Sequence, residues 1–228
     1  MTASTPATPL PYGTPDTPRV SVRGEARLEV DPEIAHINIA VTARNTDRTT
    51  TLDELTRRNT RALDLVKSYG DAVERLETGL ITVAPQFADK GRHERVRSYH
   101  GSVHLTATLN DFTVLGELTT RLADLPLTQI TGPWWSLRPD SPAHREARRL
   151  AVQEAVQRAR EYADALGARL TALLELADDG AENTGYPRMA RGGYGAGAAA
   201  EPELDLEPQR QTVHAQVNAR FTMTPPQL

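Results

Sequence analysis

The sequence contains no cysteine among its 228 residues. This absence excludes disulfide bonds, thiol nucleophiles and metal sites that depend on cysteine ligands. The sequence also lacks any apolar run that approaches the roughly 18 residues needed to span a bilayer. We therefore expect no membrane insertion.

Lysine is scarce as well: Lys67 and Lys90 are the only two, and the other cationic residues are arginines. The formal net charge is −4 and the pI is about 5.9. Proteins that bind nucleic acid usually carry a strong basic excess, so this balance predicts no nucleic-acid partner. The preference for arginine over lysine is typical of a GC-rich coding sequence, and we assign it no function.

The N-terminal segment MTASTPATPLPYGTPDTP has neither the cationic nor the apolar part of a secretory signal. A cytoplasmic location is the expectation that follows. Its prolines interrupt helix and sheet pairing, which predicts a disordered Pro/Thr-rich tail over residues 1–18. A second segment, residues 178–207, contains GGYGAGAAA and is predicted to be a flexible Gly/Ala-rich loop.

Alternating apolar residues predict several long strands. Residues 20–30 and 37–43 alternate on either side of an Asp-Pro turn, so we expect them to form a hairpin with Gly24 at a bulge. The other predicted strands cover residues 76–87, 99–109, 128–137, 169–176 and 210–223. The second face of these strands is mostly polar, as in an antiparallel sheet with one face in water.

Two long helices are predicted. The first begins at a capping box, with Thr51 as the N-cap and Glu54 as the returning carboxylate, and ends at Gly70. The second begins at Ser141-Pro142 and carries an alanine at every fourth position from 143 to 163. Small side chains in such a row favour close packing of a helix on a sheet. A contact between the helices of two subunits is the alternative.

The lengths of these elements match. A helix over residues 142–166 spans about 37 Å, and an 11-residue strand spans about 36 Å. The second helix is therefore expected to lie along the sheet. The predicted fold class is α+β, a mostly antiparallel sheet of long strands with two main helices packed on one face, in a single domain over residues 19–223.

Several segments follow one another in a characteristic order. The opening VSVRGEARLEVDPEIAHINIAV is followed by LETGLITVAPQF, with Thr82 and Pro85, then by an alanine-striped helix ending in YADALG, by PRMARGG and by VHAQVNARFTM. In this order they resemble the SIMPL (YggE-like) family, a domain of unknown function. The sequence departs from the family pattern in two places. Many relatives carry a secretory signal, and Gln209 stands where a glycine is expected.

The resemblance implies a SIMPL-like domain of sheet and helices, large ring-like homo-oligomers in some bacterial members, and an association with oxidative-stress defence. It supplies no catalytic residues. We therefore expect a non-enzymatic protein that self-associates as a homo-oligomer and is linked to stress protection. The alternative is a small-molecule or lipid binding module that uses the outer sheet face or the space under the 178–207 loop. A third hypothesis is a hydrolase that uses histidine and carboxylates.

No catalytic, cofactor-binding or metal-binding residue is predicted, because no metalloprotease, nucleophile-elbow or phosphate-loop motif occurs. His100 and His104 share a strand face but lie roughly 13 Å apart along it, too far to bind one metal ion. His36, His104 and His214 occupy polar strand faces and would meet only if their strands are neighbours. Solvated or hydrogen-bonded histidines are the commoner outcome.

The candidate interaction residues are Trp134 and Trp135. Adjacent side chains of a strand point to opposite faces, so one tryptophan can enter the core while the other faces outward. An outward tryptophan often anchors a partner or a ligand. The alternative is that Pro133 twists the chain and both rings are buried.

Overall fold

The computed structural model describes residues 13–87, 96–178 and 206–227. Along the chain the elements are β1 (Arg19–Val30), β2 (Ile34–Asn45), α1 (Arg48–Lys67), a 3-10 turn (Gly70–Ala72), β3 (Val73–Phe87), β4 (Val96–Leu109), α2 (Leu115–Ala123), β5 (Thr128–Ser136), α3 (Pro142–Ala165), β6 (Leu170–Asp178) and β7 (Gln211–Met223). Most of the predicted tail and loop lies outside the described residues.

The described strands form two antiparallel sheets, ordered β1-β7-β6 and β3-β4-β2-β5. The predicted α+β class is confirmed. The two main helices, predicted to pack on one face of one sheet, pack on different sheets, because β1 pairs with β7 and not with β2. The described residues divide into two compact units. Unit 1 takes those within 1–30, 140–194 and 212–228, and unit 2 those within 31–139 and 195–211. A single domain over residues 19–223 stays a prediction.

Unit 1 is the three-stranded sheet with α3. Ser141 caps the helix by accepting a hydrogen bond from the Ala143 backbone N–H at 3.3 Å, and Pro142 occupies the first turn, as predicted. Gly167, with φ of 66°, follows its end. The helix packs on β1 through the predicted row of small side chains, since five of its alanines are fully buried: Ala147, Ala151, Ala155, Ala159 and Ala163.

Unit 2 is the four-stranded sheet with α1 and α2. β2 and β4 pair without interruption from Ala35 opposite Leu109 to Asn45 opposite Tyr99. The inward side chains of these two strands form the centre of the core. α1 covers them with one buried stripe, consisting of Thr51, Leu55, Ala62 and Val66. Among the described residues, no helix is long and apolar enough to cross a membrane.

Two local predictions are wrong. β1 and β2 do not form a hairpin, because β1 pairs with β7 while β2 lies between β4 and β5. The N-cap of α1 is Asp47 rather than Thr51, since the Asp47 carboxylate accepts the Thr50 backbone N–H at 2.7 Å. Thr51 instead lies buried in the first turn, where its hydroxyl donates to the Asp47 carbonyl at 2.7 Å.

Candidate functional site

Trp134 and Trp135 lie at the end of β5 and are both half-buried. Trp135 packs against the core of unit 2, where its ring meets that of Phe112 edge-on at 4.8 Å between centroids. Trp134 is the register partner of His36, whose side chain bonds with other outward polar groups. The two rings therefore have different surroundings. Their contact with a partner stays a prediction.

His36 is the centre of a hydrogen-bonded cluster on three neighbouring strands. Its Nδ1 lies 3.0 Å from the Thr108 hydroxyl on β4, and its Nε2 lies 3.0 Å from the Ser136 hydroxyl on β5. We call these three residues the His36 cluster. Two residue pairs further along the sheet, the Thr106 hydroxyl donates to the Asn38 side-chain oxygen at 3.1 Å. The cluster thus links β2 to both of its neighbours, β4 and β5, through side-chain hydrogen bonds.

The chain that follows β5 brings a guanidinium to the opposite edge of the sheet. The Arg138 backbone N–H donates to the Glu33 carboxylate at 2.9 Å, and its guanidinium meets the Glu74 carboxylate on β3 at 2.6 Å. Because β5 and β3 are the two outer strands, this ion pair joins the two edges of the sheet.

Burial lowers the pKa of His36 below its ordinary value, and the Glu74 carboxylate opposes this with a smaller raising effect. The imidazole is therefore held in its neutral form near neutral pH. In this form one ring nitrogen donates and the other accepts, which two flanking hydroxyls can satisfy.

A serine hydroxyl bonded to histidine has the spacing of a nucleophile and its general base. The group on the other side of His36 is the neutral hydroxyl of Thr108, however, and not a carboxylate that could stabilise an imidazolium. The arrangement fits a structural polar cluster better than an acyl-transfer site.

The other histidines do not join this cluster. His104 pairs with Ala40, four residues along β2 from His36, which corresponds to roughly 13 Å. His214 lies on β7, in the other sheet. No group of three histidine, aspartate or glutamate residues suited to a metal ion occurs in the part of the chain that the structure describes.

The structure shows two cavities that periodicity alone did not indicate. One, of about 440 Å³, lies on the outer face of the three-stranded sheet and has polar walls that include Arg23, Glu175 and Arg220. The other, of about 350 Å³, lies between α1 and β3 and includes Leu63, Lys67 and Leu76. Neither is lined by a tryptophan, so neither connects Trp134 or Trp135 with a ligand site.

The alternating pattern of β2 places His36 on a polar face but does not identify its partners. Thr108, Ser136 and Arg138 are common polar residues, and only the register of β2 between β4 and β5 brings them to His36 and Glu74. The one signal in the sequence for a partner of His36 was the hydroxyl of Thr108, on a strand face that was predicted to face water. Its side chain is buried, which the alternating pattern did not indicate.

Two relatives of the chain are each named 26 kDa periplasmic immunogenic protein, one from Brucella melitensis biotype 1 and one from Brucella abortus strain S19. Each is 28% identical to this chain over 195 residues, covering 81% of this chain and 76% of the relative.

A crystal structure from Burkholderia cenocepacia, described as that of an amidohydrolase/peptidase, matches with a TM-score of 0.26 and 16% identity. The match covers 58% of this chain and 33% of the other, so this chain spans about a third of that protein. At this TM-score the likeness carries no argument about fold or activity.

The family model named SIMPL, with the description protein of unknown function (DUF541), matches residues 20–221. This range takes in most of the 228-residue chain and runs from β1 to β7. The chain therefore belongs to the SIMPL family.

Proposed function

We propose that this chain is a non-enzymatic protein that acts through self-association, with strand β6 as the contact between copies. The observation that carries the proposal is the exposure of aliphatic side chains on this outer strand. Leu173, Leu174 and Leu176 are 54%, 46% and 47% exposed. β6 pairs with β7 on one side, and on its other side no strand of the described residues pairs with it. The exposed edge of an apolar outer strand is a ready template for pairing with another chain.

The opposite edge of the same sheet is protected. β1 carries an alternating row of charges along its exposed positions, including the ion pairs Arg23–Glu25 at 2.7 Å and Arg27–Glu29 at 3.2 Å. Charged side chains on an edge strand discourage pairing with another strand. Within the described residues, the sheet therefore has one outer strand that carries a row of charges, β1, and one outer strand that is mainly apolar, β6. We call the free side of β6 the open edge.

A second copy of the chain is the occupant that fits the open edge. Two β6 strands can pair antiparallel about a two-fold axis, so that each copy offers the same surface to the other. The leucines of both strands then become buried, and about 25 cal/mol is gained per Å² of apolar surface removed from water. The β6 backbone groups that face away from β7 gain partners at the same time.

The non-enzymatic part of the proposal rests on the chemistry of the His36 cluster. The two ring nitrogens of His36 hydrogen-bond to the hydroxyls of Thr108 and Ser136. The group across the imidazole from Ser136 is therefore the neutral hydroxyl of Thr108. Such a cluster supports the sheet without supplying an activated nucleophile.

Light scattering coupled to size-exclusion chromatography tests self-association. The wild-type chain should elute above the 25.0 kDa mass of one copy. Leu176→Lys should shift it towards one copy, because a charge would be buried at the contact. Leu52→Lys, which changes an exposed leucine on α1, is the matched control and should leave the mass unchanged. A wild-type chain that is strictly monomeric at micromolar concentration would refute the proposal.

Location and biological role are separate parts of the proposal. The relatives are named as periplasmic, which favours a location outside the cytoplasm over the cytoplasmic one expected from the sequence. Fractionation of cells into cytoplasm and periplasm, followed by immunoblotting, decides between the two. A role in oxidative-stress protection predicts lower survival of a deletion strain in hydrogen peroxide, restored by the wild-type chain.

A further inference from the structure

We propose that the groove between α1 and β3 binds a single-chain amphiphile with an anionic head, of the medium-chain carboxylate class. The groove encloses about 350 Å³, within the range of small-ligand sites. It lies entirely within unit 2. It is independent of the proposed self-association, which uses β6 of unit 1.

The groove exists because α1 does not cover the whole sheet. α1 packs mainly on β2 and β4, whereas β3 is the outer strand beyond β4. The inward face of β3 is therefore left partly open beside the helix. We call this space the α1–β3 groove.

The floor of the α1–β3 groove is aliphatic. Leu63 of α1 and Val73 and Leu76 of β3 are half-buried, and all three pack against the buried core of unit 2. They keep part of their surface in the groove, with no aromatic ring among the lining residues. An alkyl chain laid along this floor would continue the core outward, gaining about 0.8 kcal/mol per buried methylene.

The charges around the groove leave one positive charge unmatched. Glu74 is bound by Arg138 at 2.6 Å, and Arg75 by Glu77 at 2.6 Å. Lys67 has no ion pair or hydrogen bond to its ammonium group among the residues that the structure describes. An anionic head would complement this charge.

Lys67, in the last turn of α1, and Gly70, just beyond it, both line the groove. A Cβ at Gly70 would have no atom within 4 Å, so the space beside the C-terminal end of α1 is free for a head group. The aliphatic floor and the one cation without an ion pair, Lys67, thus suit a ligand with one charged end. A flat polar ligand would leave the leucines unburied.

Isothermal titration calorimetry with sodium decanoate, below its micelle concentration, tests the proposal. We expect saturable binding to the wild-type chain. Lys67→Gln should raise the Kd by about two- to fivefold, the effect of one solvent-exposed ion pair. Arg61→Gln removes an equal charge from an exposed position of the same helix and should leave the Kd unchanged. Decan-1-ol should show no difference between wild-type and Lys67→Gln chains.

A second measurement locates the ligand. The chain has no cysteine, so Thr78→Cys provides a unique position for an environment-sensitive fluorophore at the groove. Decanoate should change the emission of this label and not of one at Asp53→Cys.

The proposal is overturned by absent saturable binding, by equal effects of Lys67→Gln and Arg61→Gln, or by an unresponsive label at position 78. Binding to phosphatidylglycerol vesicles without binding of free decanoate would overturn it as well. Light scattering with and without decanoate reports self-association separately.

Discussion

Gly24 of β1 lies directly against the α3 backbone at Ala155. A Cβ at position 24 would lie 2.6 Å from the Ala155 nitrogen and 2.7 Å from the Ala155 Cβ, and it would also clash with the Ala151 carbonyl oxygen. A glycine on the strand and alanines on the helix thus meet at the closest approach of the two elements. Position 24 does not tolerate a larger side chain without backbone movement.

The first prediction is that Gly24→Ala destabilises unit 1. The added methyl forces α3 away from β1, and overpacking of this kind costs typically about 1–3 kcal/mol. The measurement is urea denaturation followed by far-ultraviolet circular dichroism. Tryptophan fluorescence would not serve, because Trp134 and Trp135 both lie in unit 2.

Gly79→Ala is the matched control for this substitution. Gly79 is also a strand glycine, but the nearest atom to a Cβ there is the His104 carbonyl oxygen at 3.5 Å, an ordinary contact. Alanine at this position should be neutral or slightly stabilising, because glycine in a strand interior costs roughly 0.5–1 kcal/mol relative to alanine. Equal losses in both variants would contradict the close-approach explanation.

The contact between Gly24 and α3 shows what could be read from the sequence. The alanine row required no partner to be recognised, because its period alone identifies a buried helix face. The strand that the row packs on could not be recognised in the same way. Alternation shows which residues share a face, but it does not identify the neighbouring strand. For this reason the predicted hairpin of β1 and β2 was wrong, although both strands were located.

In the candidate site too, alternation shows which residues share a face, and strand order decides which residues meet. The polar character of His36 and the alternation around Trp134 and Trp135 were visible in the sequence. The partners of His36 come from residues 72 and 100 positions away, so they depend on strand order. The α1–β3 groove depends on which strand the helix leaves uncovered, and that too is a property of the sheet order.

The second prediction concerns Asn59, which lies in α1 next to the buried stripe. Its side-chain oxygen is buried and has no hydrogen-bond partner within the described residues. An unsatisfied buried polar group costs about 1–3 kcal/mol. Asn59→Leu, which keeps a similar shape, should therefore raise the free energy of unfolding by about 1 kcal/mol.

Chemical denaturation of Asn59→Leu is compared with that of Thr60→Leu. Thr60 is the exposed neighbour on the same helix, so its variant measures the gain from helix propensity alone, at most about 0.7 kcal/mol. A larger gain at position 59 supports relief of the buried oxygen. A loss of stability at position 59 would indicate that the amide has a role that leucine cannot replace.

The third prediction compares the two tryptophans. Trp135 contacts Phe112 and the core, so Trp135→Ala should lower the free energy of unfolding by about 3 kcal/mol. Trp134→Ala removes a ring beside His36 on the polar side of the strand and should cost less. Urea denaturation followed by circular dichroism measures both variants on one scale, and equal losses would show that the two rings are equally important to the core.

The last prediction follows from the lowered pKa of His36. Because burial depresses this pKa in the folded state below its ordinary value near 6.5, the folded chain binds the proton less tightly than the unfolded chain does. The stability that neutral His36 contributes is fully present above about pH 6.5, and it is lost as the pH falls through the lower folded pKa. The Glu74 carboxylate weakens the effect without reversing it, since its raising influence is the smaller one.

Denaturation midpoints at pH 7.5 and pH 5.0 measure this loss, with His36→Gln as the test variant. Glutamine can hydrogen-bond to Thr108 and Ser136 but does not titrate, so its stability should fall less on acidification than that of the wild-type chain. His104→Gln removes an exposed histidine from the same face and should retain the wild-type pH dependence. If the His36 and His104 variants respond alike, the pH dependence arises elsewhere in the chain, and burial of the imidazole between β4 and β5 is not its cause.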